Sequence, residues 1–303
     1  MILINIVSVG GGGKSVLLSL FDGHPEINIV PIHDKFFFAL RSRYDKSSHD
    51  FRPILRDLSK SGYINYKQLA ADGKIEFFLS SNKLDVVDVP FDIDPFELER
   101  RFVEKLKTLD WDRVSITGAF YDAYIELLSL QRKKYLAFMG VDNFYKNFDF
   151  QLSCPDAKTI FVLRDPLSVV YTKLNRVLPH SKKLLYSKFR AASFLIRETI
   201  RVASFDARAV KLSERDSRCM CVRFENLMET KATAMSDIIQ FLSIEDTSIL
   251  KNPSILGVDL VKGKISYVSA DNDNKKTQYS YAQKLIVKTL YQVVFYFVRQ
   301  LSR

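Results

Sequence analysis

The sequence predicts an α/β fold with a mainly parallel central sheet. Three observations predict it. The chain opens with a short apolar run, four consecutive glycines and an apolar helical segment. Further short apolar runs then alternate with longer amphipathic stretches, the pattern of strands joined by crossover helices. The 303 residues, 47% hydrophobic and 26% charged, suit one large domain of ordinary globular composition.

Taken in order, Ile2 to Val9 reads as a buried parallel strand, broken only by Asn5 and Ser8. Gly10 to Gly13 form a loop, and Lys14 and Ser15 open a helix over Ser15 to Phe21. Strand, glycine loop and helix start together hold a phosphate: loop amides point inward and the helix N-terminus adds partial positive charge. Gly13-Lys14-Ser15 supplies the second half of the Walker A pattern, while Ser8 stands where its first glycine belongs. The alternative is a glycine-rich turn, but a turn gains nothing from the Lys-Ser that follows.

His24-Pro25 ends that helix, because the residue before proline avoids the α region. Ile27 to Ile32 is a second strand, followed by His33-Asp34-Lys35 and Phe36-Phe37-Phe38. Residues 85–95 read as an irregular insertion, and Pro95 to Leu109 as an amphipathic helix. Val114 to Thr117 reads as a strand stopped by Gly118, with a helix from Phe120 to Gln131. Tyr135 to Met139 and Thr159 to Leu163 are further strands. Arg164-Asp165-Pro166 closes the latter, and Leu167 to Leu178 is a helix. A long basic helix over Lys183 to Arg208, a strand over Cys219 to Phe224 and a helix over Thr230 to Leu242 follow. The expectation is one domain over residues 1–303, with a variable insertion or lid around 40–110 and a C-terminal helix around 279–302.

Forty-five Lys and Arg against 35 Asp and Glu give a net charge of +10, which favours anionic ligands. No recognition motif accompanies the basic residues, so nucleic acid is not the expected partner. Cys154, Cys219 and Cys221 lack metal-type spacing and read as core residues of a reducing compartment. The phosphate loop begins about ten residues from Met1, so no leader and a cytoplasmic location are expected. Leu285 to Leu301 is interrupted by Lys288, Gln292 and Arg299. It is expected to pack on the body, with an interfacial membrane helix as the alternative.

Arg164 stands at the carboxyl end of a strand, where open parallel sheets bind ligands, and its fork suits phosphate. Thr172 falls eight residues on, within the following helix. The alternative for Arg164 is a structural ion pair, with Asp165 or another carboxylate.

Four blocks in order resemble the sulfotransferases that use 3′-phosphoadenosine 5′-phosphosulfate. Val9 to Ile27 is similar to that family's 5′-phosphosulfate loop, its helix and the following His-Pro. Ile32 to Phe38, IHDKFFF, is similar to the Lys-Glu-x-x-Phe-Phe segment of the carbohydrate and related branches. Pro155 to Leu174 is similar to the 3′-phosphate motif, and Val222 to Ile244 to the Tyr-Glu-Asp-Leu block and its helix. The resemblance implies a three-layer, P-loop NTPase-like fold with helices on both faces of the sheet. It implies sulfuryl transfer to a hydroxyl or amine, with carbohydrate among the candidate acceptors, without metal and with release of adenosine 3′,5′-bisphosphate. It implies that Gly11, Gly12, Gly13, Lys14, Ser15 and Val16 wrap the 5′-phosphosulfate. Arg164 and Thr172 would hold the 3′-phosphate, Phe224 would pack near the adenine, and Lys262-Gly263-Lys264 would close over the nucleotide. Asp34 aligns with the family's glutamate as the base, and His33 is its rival on pKa grounds. Lys14 would stabilise charge on the transferring group. The competing readings are a P-loop kinase or NTPase using Mg-ATP through Gly13-Lys14-Ser15, and a catalytically inactive nucleotide-binding relative. Oligomeric state is unreadable from the sequence.

Overall fold

The computed structural model describes residues 1–33, 37, 94–128, 130–177, 184–247, 254–255, 258–259 and 280–301. Its centre is a five-stranded, all-parallel sheet of β1 (Ile2–Val7), β2 (Ile27–His33), β3 (Tyr135–Met139), β4 (Lys158–Leu163) and β5 (Cys219–Arg223). The spatial order is β2-β3-β1-β4-β5.

Alternation along the strands sorts their side chains onto two apolar faces. Ile4 and Ile6 of β1 join Tyr135, Ala137, Ile160 and Val162 on one face. That face is covered by α1 (Lys14–Phe21), through Leu17, Leu18 and Phe21, and by the helix Lys231–Leu242, through Met235, Ile238 and Leu242. Leu3 and Val7 point the other way.

The helices α2 (Pro95–Leu106), α3 (Arg113–Leu127) and α4 (Phe144–Ser153) cover the β3 half of this second face. Phe102, Phe120, Tyr121, Phe138 and Phe150 form its aromatic centre, largely in edge-to-face contacts. The helices α5 (Pro166–Val177) and α6 (Leu184–Arg215) cover the β4 half, through Val170, Leu174, Val202 and Phe205. In chain order α7 (Phe224–Glu229) and α8 (Lys231–Leu242) follow β5, and α9 (Tyr281–Leu301) packs on α6 and α5. The result is a three-layer α/β fold with helices on both faces of a parallel sheet. A two-stranded antiparallel pair, β6 (Ser254–Ile255) and β7 (Val258–Asp259), stands apart from the main sheet.

The segment Val114 to Thr117 is not a strand: it lies in the first turns of α3. Asp112 decides this, accepting the amides of Val114 and Ser115 as an N-cap, while Thr117 donates its hydroxyl back to the Arg113 carbonyl. A four-residue apolar run does not by itself distinguish a strand from a buried helix. The helix α4 has no counterpart in the sequence reading, and α2, inside the span assigned to a variable insertion, buries Leu98, Phe102 and Leu106 in the common core. The three cysteines are free thiols. Burial pushes Cys154 and Cys219 up to about 12, and Cys221 to about 11.

Candidate functional site

The topology makes one crevice. From β1 the chain passes to α1 on one face, and from β4 to α5 on the other. Neighbouring strands that leave in opposite directions open a gap at their carboxyl ends. The glycine loop and Arg164 sit at that gap.

The loop is shaped by Gly11 and Gly13, with φ of 87° and 95°. Gly13 is the N-cap of α1, and its carbonyl accepts the Val16 amide at 3.0 Å. A side chain there would meet the Phe224 ring, with Cβ 2.1 Å from Cδ2, and would strain a backbone that only glycine adopts readily. The Gly12 amide closes a turn onto the Val9 carbonyl at 2.7 Å. By helix geometry, the first amides of α1, at Lys14 and Ser15, have no intrahelical acceptor and face the N-terminal end.

Arg164 reaches across the crevice. Its Nη1 donates to the Gly11 carbonyl at 2.8 Å, and its guanidinium carbon lies 4.5 Å from the centre of the Phe224 ring. Phe224 is thus held between Gly13 and Arg164. Burial pulls the Arg164 pKa down, with Glu225 and Asp165 opposing that shift. Arg-Asp-Pro divides its labour. Asp165 accepts the Ser168 amide and hydroxyl at 3.1 and 2.8 Å, and Pro166 begins α5. The Asp165 amide donates to Glu225 at 2.8 Å, tying the start of α5 to α7. The Arg164–Asp165 pair raised as an alternative therefore does not describe Arg164's main contacts. Thr172 lies against Gly11 through its methyl side, and its hydroxyl donates to the Ser168 carbonyl at 2.7 Å.

Lys14 turns away from the loop. Its Nζ donates to the Gly140 carbonyl at 2.7 Å and pairs with Asp142 Oδ1 at 2.6 Å. Burial pulls its pKa down, and Asp142 opposes that. Asp142 follows β3, the strand beside β1, and was not singled out from sequence. The signal was an Asp three positions beyond an apolar run, too common a pattern to mark a site. Asn147 fixes its backbone: Nδ2 donates to the carbonyls of Val141 and Asn143 at 2.7 and 2.6 Å, on either side of Asp142. Gly10 leaves room for it, since a Cβ there would come 2.3 Å from Asp142 Oδ2. Farther along the same rim, Lys173 pairs with Glu198 at 3.3 Å and Arg201 with Glu198 at 3.0 Å.

The structure thus gathers Gly11, Gly12, Gly13, Ser15, Val16, Arg164, Thr172 and Phe224 at one crevice, with Lys14 turned to its β3 side. His33 is the last residue of β2, which β3 separates from β1. Asp34 and Lys262-Gly263-Lys264 lie outside the described residues. A buried hydroxyl sits beneath the loop: Ser8 Oγ has no hydrogen-bond partner among the described residues. Among those residues, no three His, Cys, Asp or Glu side chains converge as a metal site.

A family model described as "Sulfotransferase family" matches residues 91–248. No curated protein matches the chain. Among solved structures, a sulfotransferase domain from the curacin biosynthetic pathway is similar at 10% identity, over 91% of this chain and 96% of that one, with a TM-score of 0.48. A sulfotransferase from Alicyclobacillus acidocaldarius is similar at 14% identity, over 96% of each chain, with a TM-score of 0.38. A retinol dehydratase, in complex with androsterone and inactive cofactor PAP, is similar at 11% identity, over 96% of this chain and 80% of that one, with a TM-score of 0.42.

Proposed function

Since the chain belongs to the sulfotransferase family, we propose that it moves a sulfuryl group from 3′-phosphoadenosine 5′-phosphosulfate to an acceptor hydroxyl or amine. The observation that carries this reading is Arg164, bridging from the end of β4 to the glycine loop at the end of β1. A nucleotide with phosphates at both 3′ and 5′ positions needs cationic or amide donors on both sides of one crevice.

The bound donor supplies the sulfuryl group. The amides at the start of α1 hold its 5′ end, and Arg164 and the Thr172 side hold the 3′-phosphate. Phe224, flat against Arg164, offers an apolar wall to the base. The sulfur–oxygen bond to the 5′-phosphate breaks as one to the acceptor oxygen or nitrogen forms, and the acceptor's proton leaves to a base. Charge on the leaving oxygens is met by fixed donors, which need no reorganisation during transfer. Asp34 and His33 remain candidates for the base from sequence. Asp142 joins them on geometry, one strand from β1 and paired with Lys14. A cytoplasmic location and the absence of a metal requirement are part of this proposal.

A kinase or NTPase reading has one observation in its favour: Asp142 is the acidic residue at a strand end that magnesium binding would use. Calorimetric titration separates the two. The expected result is metal-independent binding of adenosine 3′,5′-bisphosphate, weakened about 100-fold by Arg164→Ala, as loss of a charge-assisted contact predicts. Preference for Mg-ATP, or unchanged affinity in the Arg164 variant, overturns the proposal.

A further inference from the structure

We propose that α9 is a membrane-surface helix that docks this protein on bilayers carrying anionic lipid. One side of α9 is anchored. Val287 is fully buried, the Tyr291 hydroxyl donates to Asp206 of α6 at 2.8 Å, and Lys211 of α6 donates to the Arg299 carbonyl at 2.8 Å. The opposite side is open and largely apolar, with Thr289 and Gln300 as the exposed polar residues within it. Leu285, Ile286, Val293, Tyr296 and Phe297 are 51–68% exposed. At about 100° per residue, these five fall within an arc of about 120°, the width of a face that could enter a lipid interface.

The charges are arranged to match. The 21 residues of α9 include no Asp or Glu. Lys284, Lys288 and Arg299 fall together along one edge of the apolar arc, between it and the anchored side; Arg299 is paired with Glu214 of α6, so the two lysines carry the unneutralised charge of that edge. An apolar face bordered by basic residues is the pattern of a helix lying in the headgroup region. In an antiparallel pairing a second copy of this face would bring basic edge beside basic edge, whereas anionic headgroups complement the edge in any orientation of the helix on the surface. The chain's net charge of +10 works in the same direction. The helix would lie on the bilayer and not cross it: among the described residues, no helix is long and apolar enough to span.

The placement relates this surface to the crevice. Tyr291 meets Asp206 and Arg299 meets Lys211, so α9 and α6 run in the same direction. Eight residues back from Asp206, α6 carries Glu198, which holds Lys173 beside the loop. The N-terminal part of α9 lies alongside that stretch. Docking would therefore bring the lipid surface to the flank of the site. The inference does not depend on the catalytic reading, and its test reads no activity.

The test is flotation of the full chain with vesicles of phosphatidylcholine alone and of phosphatidylcholine mixed with phosphatidylserine. Binding is expected to the mixed vesicles, to be weak to phosphatidylcholine, and to fall as salt rises. Lys288→Gln should lower partitioning about fivefold, the effect of one basic residue near an anionic surface. The double substitution Tyr296→Ser and Phe297→Ser should abolish binding while leaving the melting temperature unchanged, because both side chains are exposed. Absence of binding to the mixed vesicles overturns the proposal. So does equal binding by the double variant, or a dimer in solution that the double variant dissociates. Should the double variant fold poorly, the Lys288 comparison and the salt titration carry the test alone.

Discussion

Lys14 Nζ lies 2.6 Å from Asp142 Oδ1, so the lysine of the glycine loop is committed to the strand beside it. Its side chain is 6% exposed and that of Asp142 36%. Removing the carboxylate leaves a buried ammonium held, among the described residues, only by the Gly140 carbonyl. Asp142→Ala should lower stability by about 2 kcal/mol, less than a fully buried pair because Asp142 is partly open to water. Burial holds Lys14 below its usual 10.5, so the folded lysine gives up its proton before the unfolded one. The unfolded chain then binds more protons in the window below 10.5, and the deficit of the variant should shrink as pH rises into it. Denaturant titrations at two alkaline pH values check this.

Asp142→Asn separates geometry from proton transfer. The amide oxygen can still accept from Lys14, so the fold should hold. If Asp142 is the base, kcat should fall about 10²–10⁴-fold with little change in bisphosphate affinity. A variant with unchanged kcat, alongside a large loss in Asp34→Asn, returns the role to Asp34.

Gly13→Ala should destabilise the protein by about 2 kcal/mol, from the positive φ and the Phe224 ring together. Adding Phe224→Ala relieves the collision but not the backbone strain, so the double variant should recover only part of its melting temperature beyond the cost of Phe224→Ala alone.

Asp206 is buried beneath α9, and burial raises its carboxyl from 3.8 to about 7. The folded state keeps that proton over a range in which the unfolded chain has lost it. Its stabilising contribution is therefore complete below about 4 and is lost as pH rises through about 7. Three units correspond to about 4 kcal/mol at most. Asp206→Asn, which can still accept from Tyr291, should gain stability relative to the parent between pH 4 and 8. Parallel melting curves that keep a constant separation across that range would count against this.

Ser8→Ala should be neutral or stabilising by up to about 1 kcal/mol, because it removes a buried hydroxyl with no partner among the described residues. Weaker bisphosphate binding in the same variant would show that the hydroxyl acts toward ligand.

Most of the sheet and half of the crevice were legible in the sequence, and the reasons are local. Ile2 to Val9 is short, apolar and ends in glycines, which leaves little choice but a strand. Arg164 follows an equally clear run. Val114 to Thr117 misled because its fate is set by Asp112, a cap outside the apolar run, and by packing of Ile116 and Phe120 against the sheet. The helix α4 is capped by Asn143, whose side chain accepts the Lys146 amide, and mixes exposed Tyr145 and Phe148 with buried Asn147 and Phe150. That inverted pattern hides its periodicity. Asp142 was invisible for a different reason: its importance comes from the order of strands, which puts β3 beside β1 although 127 residues of chain lie between Val7 and Tyr135. Asp34 and Lys262-Gly263-Lys264 lie outside the described residues and stand as candidates from sequence alone.

The bridge from Arg164 to Gly11 spans 153 positions of sequence. The proposed bisphosphate site needs both halves, and no local turn brings them together. The crevice exists only once β4 has paired with β1, a parallel and long-range step of the kind that comes slowly in folding. Gly13 and Phe224, which meet at the same crevice, are likewise more than 200 positions apart. On the proposed function, nucleotide capture would be a readout of completed topology, and a chain truncated before β4 should not bind adenosine 3′,5′-bisphosphate.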